Sequence, residues 1–420
     1  MRFNTLILFL FSILSTTLAL YPRPWTPKDP CPTSIKAYIY DEPCRSDDCD
    51  PDHFAFTSLN SVHSALLTCP NISSLDIIIW GSCSTWPDRM DLPLSPFGGE
   101  TYPDIKSLQV LGYYGWDRRE SRNVWNAPKC LAQGKLECFK DILYWFHKRH
   151  WQSWLAWCTQ SKQQHEKTNA ELWLDAMDWK CIEELSVDTV PESVREVLSQ
   201  SRALWKLKTT DGKLILDLPE NILTHLSLVN GERDTALFDD ILNHQGGSLE
   251  SLEMRWDTEH HPWRYNGDLD DEIRIITKSA KKLRHLSMNV LRNATSSPLE
   301  TLEKIATIPT LREADLWIQV LDPWNSGADE FSDQYKGETR IGPPLLSYKG
   351  ALSIFRYMRD KKQGEELEKA TFWVGDWTDN WYEDNPRVKV ACEAKTDVDM
   401  EDWCVVEDEW PQADFQCGTL

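Results

Sequence analysis

Leu249-x-x-Leu252-x-Met254 is followed 34 residues later by Leu283-x-x-Leu286-x-Met288, and no other feature of the chain restricts its fold as much. The same spacing occurs at Leu75-x-x-Ile78-x-Trp80, Leu108-x-x-Leu111-x-Tyr113, Ile182-x-x-Leu185-x-Val187, Leu204-x-x-Leu207-x-Thr209 and Leu223-x-x-Leu226-x-Leu228. It returns at Leu311-x-x-Ala314-x-Leu316 and Leu367-x-x-Ala370-x-Phe372. In a chain 41% hydrophobic, three apolar positions coincide at about 7% of sites, so one copy alone means nothing. The segments between copies lift the signal. "DTALFDDILNHQGG" (234–247) has acids in its first turns and ends on Gly-Gly, and "DLDDEIRIITKSAKK" (268–282) runs from acidic to basic. "SSPLETLEKIATIP" (296–309) starts with Ser then Pro and stops at Pro309; "VPESVREVLSQS" (190–201) and "KGALSIFRYMRDKKQG" (349–364) behave alike. These are helix start and stop signals matched to the helix dipole.

One short strand with one helix cannot bury its apolar face alone, so alternating units of this kind must stack on their neighbours. The first, fourth and sixth positions then point into a continuous core. The expected fold is α/β: a solenoid with a parallel β-sheet on its concave face, helices on its convex face and disulfide-stapled caps. Alternation along each strand turns the third, fifth and seventh positions to the open face.

The pattern resembles a leucine-rich repeat of the ribonuclease-inhibitor-like kind. It is most similar to the irregular repeats of fungal F-box/leucine-rich-repeat proteins, over roughly residues 70–420. Two departures matter. The family's Asn or Cys three residues beyond the sixth position is met only by Cys83; Trp116, Val190, Gly212, Gly231, Asp257, Leu291, Gln319 and Gly375 stand there in the other copies, which implies an uneven coil. No F-box precedes the repeats: "DLPENILTHLSL" (217–228) imitates its opening but lies mid-chain and supplies a repeat strand.

"MRFNTLILFLFSILSTTLA" (1–19) places a charge ahead of a short apolar run that ends in small residues, the pattern of a secretory signal peptide. The expected location is extracellular, which excludes a ubiquitin-ligase role. No other stretch reaches the ~18 consecutive apolar residues of a membrane span. Residues 20–69 read as a Cys- and Pro-rich cap ending in a first helix, 70–390 as the solenoid, and 391–420 as an acidic, Cys-containing tail. A Trp-rich helical insertion at about 127–180 and a loop insertion at about 322–348 interrupt the repeats.

The chain carries 45 basic and 66 acidic residues, a formal charge of −21 that becomes −22 when Arg2 leaves with the signal. Such a surface repels phosphate backbones, so nucleic acid is not an expected partner. Cationic partners, or simple solubility, suit it. The even count of 12 cysteines in an exported chain reads as disulfides. Cys31, Cys44, Cys49, Cys69, Cys83, Cys130, Cys138, Cys158 and Cys181 fall early, and Cys392, Cys404 and Cys417 fall late. Both groups are odd. Either one bridge joins the groups, or each keeps a spare thiol.

For function, the polar row that alternation exposes turns acidic and aromatic towards the C-terminus. Glu313, Asp315, Trp317, Lys369 and Trp373, with Trp377 in a nearby loop, are the candidate ligand-binding residues. An aromatic beside carboxylates suits a sugar ring or a cationic peptide. Packing of these Trp residues against the last repeats is the alternative. Gly-x-Ser-x-Gly, His-Glu-x-x-His and a phosphate-cradling Gly loop are all absent from the sequence. "DTEHHPWR" (257–264) is the best acid–base or metal cluster, and reads more simply as a solvated loop. No catalytic residue, metal ligand or cofactor is expected. Asn71 and Asn293 head the two glycosylation sequons. The expectation is a secreted module that binds a protein or glycan ligand. The alternatives are a secreted hydrolase of cell-wall carbohydrate and an effector that binds a host protein.

Overall fold

The computed structural model describes residues 25–40, 56, 59–80, 99–113, 116, 167–229, 234–255, 269–291, 298–319, 346–375, 387–394 and 402–410. Two compact units divide the chain, residues 1–204 and 205–420. Both are α/β. Residues 1–19, the insertion core "LECFKDILYWFHKRHWQSWLAWC" (136–158), the loop 322–345 and the cluster 257–264 lie outside the described residues.

In the first unit, β1 (Ser34–Tyr40), β2 (Ser74–Trp80), β3 (Ser107–Leu111) and β4 (Glu184–Val187) pair in that order, all parallel. The strands thus begin inside the segment read from sequence as a cap. Helix α1 (Leu59–Thr68) precedes β2, α2 (Asn169–Ala176) precedes β4, and α3 (Glu192–Leu198) follows it. Thr168 starts α2 with a capping box: its side chain accepts from Glu171 N, and Glu171 reaches back to Thr168 N. Cys31 and Cys69 are bridged, closing a loop of 38 residues, a crosslink worth about 4 kcal/mol by the chain-entropy relation. Trp173 and Trp179 are buried together with Trp116 and Tyr113, edge against face. They are core, not surface.

Among its described residues the second unit repeats the theme with β5 (Lys206–Thr209), β6 (His225–Val229), β7 (Ser251–Arg255), β8 (His285–Leu291), β9 (Glu313–Gln319), β10 (Lys369–Gly375), β11 (Arg387–Glu393) and β12 (Trp403–Trp410). Strands β5 to β10 pair in parallel; β11 and β12 close the order antiparallel. Helices α4 (Gly212–Asp217), α5 (Thr235–Gln245), α6 (Leu269–Ser279), α7 (Leu299–Ala306) and α8 (Tyr348–Lys361) fill the connections. Asp211, Asp234 and Ser347 cap α4, α5 and α8 through their side chains, satisfying amides that a helix start leaves open. Cys392 and Cys404 face each other across β11 and β12 and are bridged.

The teeth of the pattern are the core. Leu249, Leu252, Leu283, Leu286, Met288, Leu311, Leu316, Leu367 and Phe372 are all buried, each contributing about 1.5–3 kcal/mol of burial. The first two copies differ from the sequence reading. Their buried teeth are Ile72, Leu75 and Ile77, then Ile105, Leu108 and Val110, while Ile78 and Leu111 are only half-buried. The frame there lies three residues earlier than the spacing from Leu75 and Leu108 implied. Pairing fixes it, because Leu75 and Leu108 stand in register with Leu185.

A column of shared carbonyls sets the register. Glu250 O accepts from both Arg284 N and His285 N, Arg284 O from Arg312 N and Glu313 N, and Arg312 O from Glu368 N and Lys369 N. The same two-for-one contact enters β2, β3, β4, β6 and β7. Each strand therefore starts level with its neighbour, so residues at one position of successive copies lie in a straight row. Among the described residues, no helix is long and apolar enough to cross a membrane.

Candidate functional site

Strands β5 to β11 turn one side to their helices and the other away from them, and on that second side Ser287, Asn289 and Thr371 are buried. Three rows cross that side of the second unit. The first holds Lys206, His225, Ser251, His285, Glu313, Lys369 and Glu393; the second holds Lys208, Ser227, Glu253, Ser287, Asp315 and Thr371. The third holds Asn289, Trp317, Trp373 and Lys389. Five of the six residues singled out from sequence, Glu313, Asp315, Trp317, Lys369 and Trp373, therefore meet on two adjacent strands. Trp377 lies outside the described residues, as does Asn293.

The aromatic row is a closed stack. Trp317 and Trp373 lie parallel, 4.4 Å between centroids and 6° apart. Arg255 reaches over from β7 to place its guanidinium 4.1 Å from the Trp317 ring, and Lys389 sits 4.3 Å from the Trp373 ring. Both faces of both rings are thus occupied, by each other or by a cation, at about 0.5–2 kcal/mol per cation–π contact. The Trp317 Nε1 donates to Ser287 Oγ at 3.1 Å. Alternation along the strand turns Arg255, the seventh position of its copy, to the same side as the rings, but the spacing does not pair it with Trp317. Arg255 and Lys389 occupy the same row one or two strands away, and Lys389 comes from an antiparallel strand outside the repeated spacing.

The middle row is a hydrogen-bonded network. Ser227 Oγ and the Arg255 guanidinium both donate to Glu253. Burial alone would raise the Glu253 carboxyl, but the Arg255 charge, these bonds and Lys208 hold it below its ordinary value. Asp315 behaves alike. Burial opposes its charge, and His285, the Thr371 hydroxyl and Lys369 outweigh that effect.

His285 joins the first two rows. Its Nε2 lies 3.0 Å from Asp315 Oδ2, and its Nδ1 lies 2.9 Å from Ser251 Oγ. An ionised carboxylate only accepts, so Nε2 carries a proton; in the neutral ring Nδ1 then accepts from the Ser251 hydroxyl. The Asp315 hydrogen bond raises the imidazole above its ordinary value against the pull of burial, helped by the charges of Asp315, Glu313 and Glu253. The Ser251–His285–Asp315 chain joins a hydroxyl, a base and a carboxylate in that order. It was not legible in the sequence, where the three lie 34 and 30 residues apart.

Beside this network a cavity of about 230 Å³ opens between β9, β10, β11 and β12. Glu313, Asp315, Lys369, Thr371, Trp373, Lys389 and Glu407 line it. Lys389 lies 2.7 Å from Glu407 and Lys369 lies 3.7 Å from Glu393. Glu313 is exposed and makes no ion pair among the described residues.

Among the cysteines, Cys181 is a free thiol whose Sγ lies 3.4 Å from Asp178 Oδ2, so this bridge candidate is not bridged. The Asp178 hydrogen bond, then burial, raise its pKa, which makes it a poor nucleophile. Cys44, Cys49, Cys83, Cys130, Cys138, Cys158 and Cys417 lie outside the described residues. Among the described residues, no group of three His, Cys, Asp or Glu side chains is placed to hold a metal ion. Compared with protein-family models, with curated proteins and with solved structures, the chain gives no match.

Proposed function

We propose that this chain is a secreted leucine-rich-repeat recognition protein whose second unit binds a protein or carbohydrate ligand on its open face. Export is supported by the apolar run of residues 1–19 and by the Cys31–Cys69 and Cys392–Cys404 bridges, which persist in oxidising compartments. The repeat assignment is supported by buried first, fourth and sixth positions on successive parallel strands. Asn71, exposed in the turn before β2, is an open acceptor for a glycan in such a protein.

The observation that carries the binding reading is the cavity at Glu313 and Lys369, lined by charged side chains and by an Asp315 that is hydrogen-bonded to His285. A site built on strands keeps its geometry without a ligand, which lowers the entropy cost of recognition. Because the faces of Trp317 and Trp373 are already covered, a sugar ring has no aromatic plane to stack on. A protein partner presenting charged side chains fits better than a glycan. The test reverses the charges at the mouth. Glu313→Lys should lower, and Lys369→Glu should shift, the affinity for a captured partner at least tenfold while the circular dichroism and melting of the chain stay unchanged. Wild-type affinity in both variants would sink the assignment.

The hydrolase reading has one observation in its favour, the Ser251–His285–Asp315 chain. Its nucleophile–base–carboxylate order is that of a serine hydrolase. Strand β7 is paired on both sides, however, so its amides are spent in the ladder and do not converge on an oxyanion. Labelling of Ser251 by a fluorophosphonate, lost in His285→Gln, would move the chain into that class. Complete inertness of Ser251 towards the reagent would remove the reading.

A further inference from the structure

Resting on the reading that this face binds a partner, we infer that the cavity beside Glu313 takes a cationic group, the ammonium or guanidinium of a Lys or Arg side chain on a protein partner, and that loss of the His285 proton strengthens the binding.

Each lysine at the cavity has a carboxylate of its own, Glu407 for Lys389 at 2.7 Å and Glu393 for Lys369 at 3.7 Å. Asp315 is held by His285 at 3.0 Å and by the Thr371 hydroxyl. Glu313 is left over, at the solvent edge of the same cavity. With His285 protonated, the excess at the cavity is the single charge of Glu313. With His285 neutral, Asp315 is also uncompensated and the excess becomes two. An anion meets the wrong sign in either state, and a neutral sugar gains no Coulomb attraction. A cation gains in both states and more in the second. The chain's charge of −21 draws cations to the surface in the same sense.

The groups facing His285 agree in direction. Asp315 and Glu313 face it from β9, and Ser251 and Glu253 from β7. Glu253 is already matched by Arg255, with Lys208 beyond it, and Lys369 acts on Asp315 from β10. All three carboxylates favour the protonated ring, so its proton is present in mildly acidic medium and is lost above its ordinary value. By linkage, a cation bound at Glu313 and Asp315 lowers the proton affinity of His285 as much as deprotonation raises cation affinity.

The test uses the full chain and three probes at fixed ionic strength: a blocked Lys-rich peptide, its Glu-rich counterpart and a neutral oligosaccharide. Calorimetric titrations at pH 5.5 and 7.5 should show the Lys-rich peptide binding about 5-fold more tightly at the higher pH, the low end of coupled-site effects. Glu313→Gln should weaken it at both pH values, and His285→Gln should abolish the pH difference, which a mere change in the net charge of the chain would leave in place. Equal or tighter binding at pH 5.5, or wild-type binding by Glu313→Gln, overturns the inference. Binding of the Glu-rich peptide or the oligosaccharide in place of the Lys-rich one, lost in Lys369→Glu, also overturns it but leaves the recognition reading standing. If the charge-reversed variants also hold a captured partner as the wild type does, the recognition reading falls with it.

Discussion

Trp317 and Trp373 stack in parallel, 4.4 Å apart, between Arg255 on one side and Lys389 on the other. A four-membered cation–ring–ring–cation row is a structural brace across five strands. It draws the antiparallel β11 onto the parallel set through Lys389. Trp373→Ala should therefore lower stability against urea by about 2–4 kcal/mol, somewhat less than for a fully buried Trp. A double-mutant cycle with Trp317→Ala should return a coupling of about 1 kcal/mol. Additivity of the two substitutions would show that the stack contributes area and nothing more.

The His285–Asp315 pair predicts a stability window. The folded pKa of His285 is raised above 6.5, so its contribution is fully present below that value and is lost as pH rises through the folded pKa. Asp315 and Glu253 are lowered from 3.8 and 4.5, so theirs is present above those values and is lost as pH falls through the folded pKa values. Thermal melts should reach a plateau between about pH 4.5 and 6.5 and decline on both sides. His285→Gln should flatten the alkaline decline and shrink the acid one to the share of Glu253, because His285 is the main group that holds Asp315 down. A melting profile in that variant that still falls between pH 6.5 and 8 would place the titrating group elsewhere.

Much of this arrangement was visible in the chain before folding, and the reason it stops where it does is physical. From Ile182 onward the inward teeth are unambiguous because the alternate positions are polar: Glu313, Asp315, Lys369 and Thr371 cannot exchange places with Ala314, Leu316, Ala370 and Phe372. At Ile77, Ile78 and Ile79 both faces are apolar, so two frames fit equally and only pairing with β3 decides. Site residues on a strand could be assigned to a face by alternation. Neighbours across strands could not, since connections of unequal length hide which Ser meets which His. Ser251, His285 and Asp315 come together through the shared carbonyls of Glu250 and Arg284, and a backbone acceptor leaves no trace in residue identity. Glu407 and Lys389 lie in the antiparallel tail, where the spacing no longer applies.

Parity predicts the thiols. With Cys31–Cys69 and Cys392–Cys404 bridged and Cys181 free, seven of the 12 cysteines remain, and an odd number cannot all pair within one chain. The late group has only Cys417 left. Mass spectrometry after alkylation without reduction should find at least two thiols per chain, Cys181 among them, or one thiol and a covalent dimer. A fully bridged monomer would require Cys181 to be oxidised and would refute its assignment.

The turn that delivers Lys369 to the cavity rests on a glycine. Gly364, between α8 and β10, adopts φ +84°, and a Cβ there would stand 2.5 Å from Pro309 O. That carbonyl already accepts from Glu365 N at 2.8 Å and from Lys362 Nζ at 3.1 Å, while Lys362 also reaches Ile308 O at 2.7 Å. The turns that follow α7 and α8 are thereby tied together, and neither can yield to a methyl group without breaking the tie. Gly364→Ala combines an unfavourable left-handed conformation with a backbone clash and should cost about 2–4 kcal/mol. Gly350→Ala in α8 is the control. Its Cβ meets a terminal methyl of the Leu346 side chain at 3.1 Å, and helix propensity offsets the contact, so the change should stay within about 1 kcal/mol of neutral. Because the distorted turn feeds directly into Glu368 and Lys369, whose amides share Arg312 O, Gly364→Ala should also weaken ligand binding at Lys369. Equal stability of the two alanine variants would show that the turn relaxes freely and does not position β10.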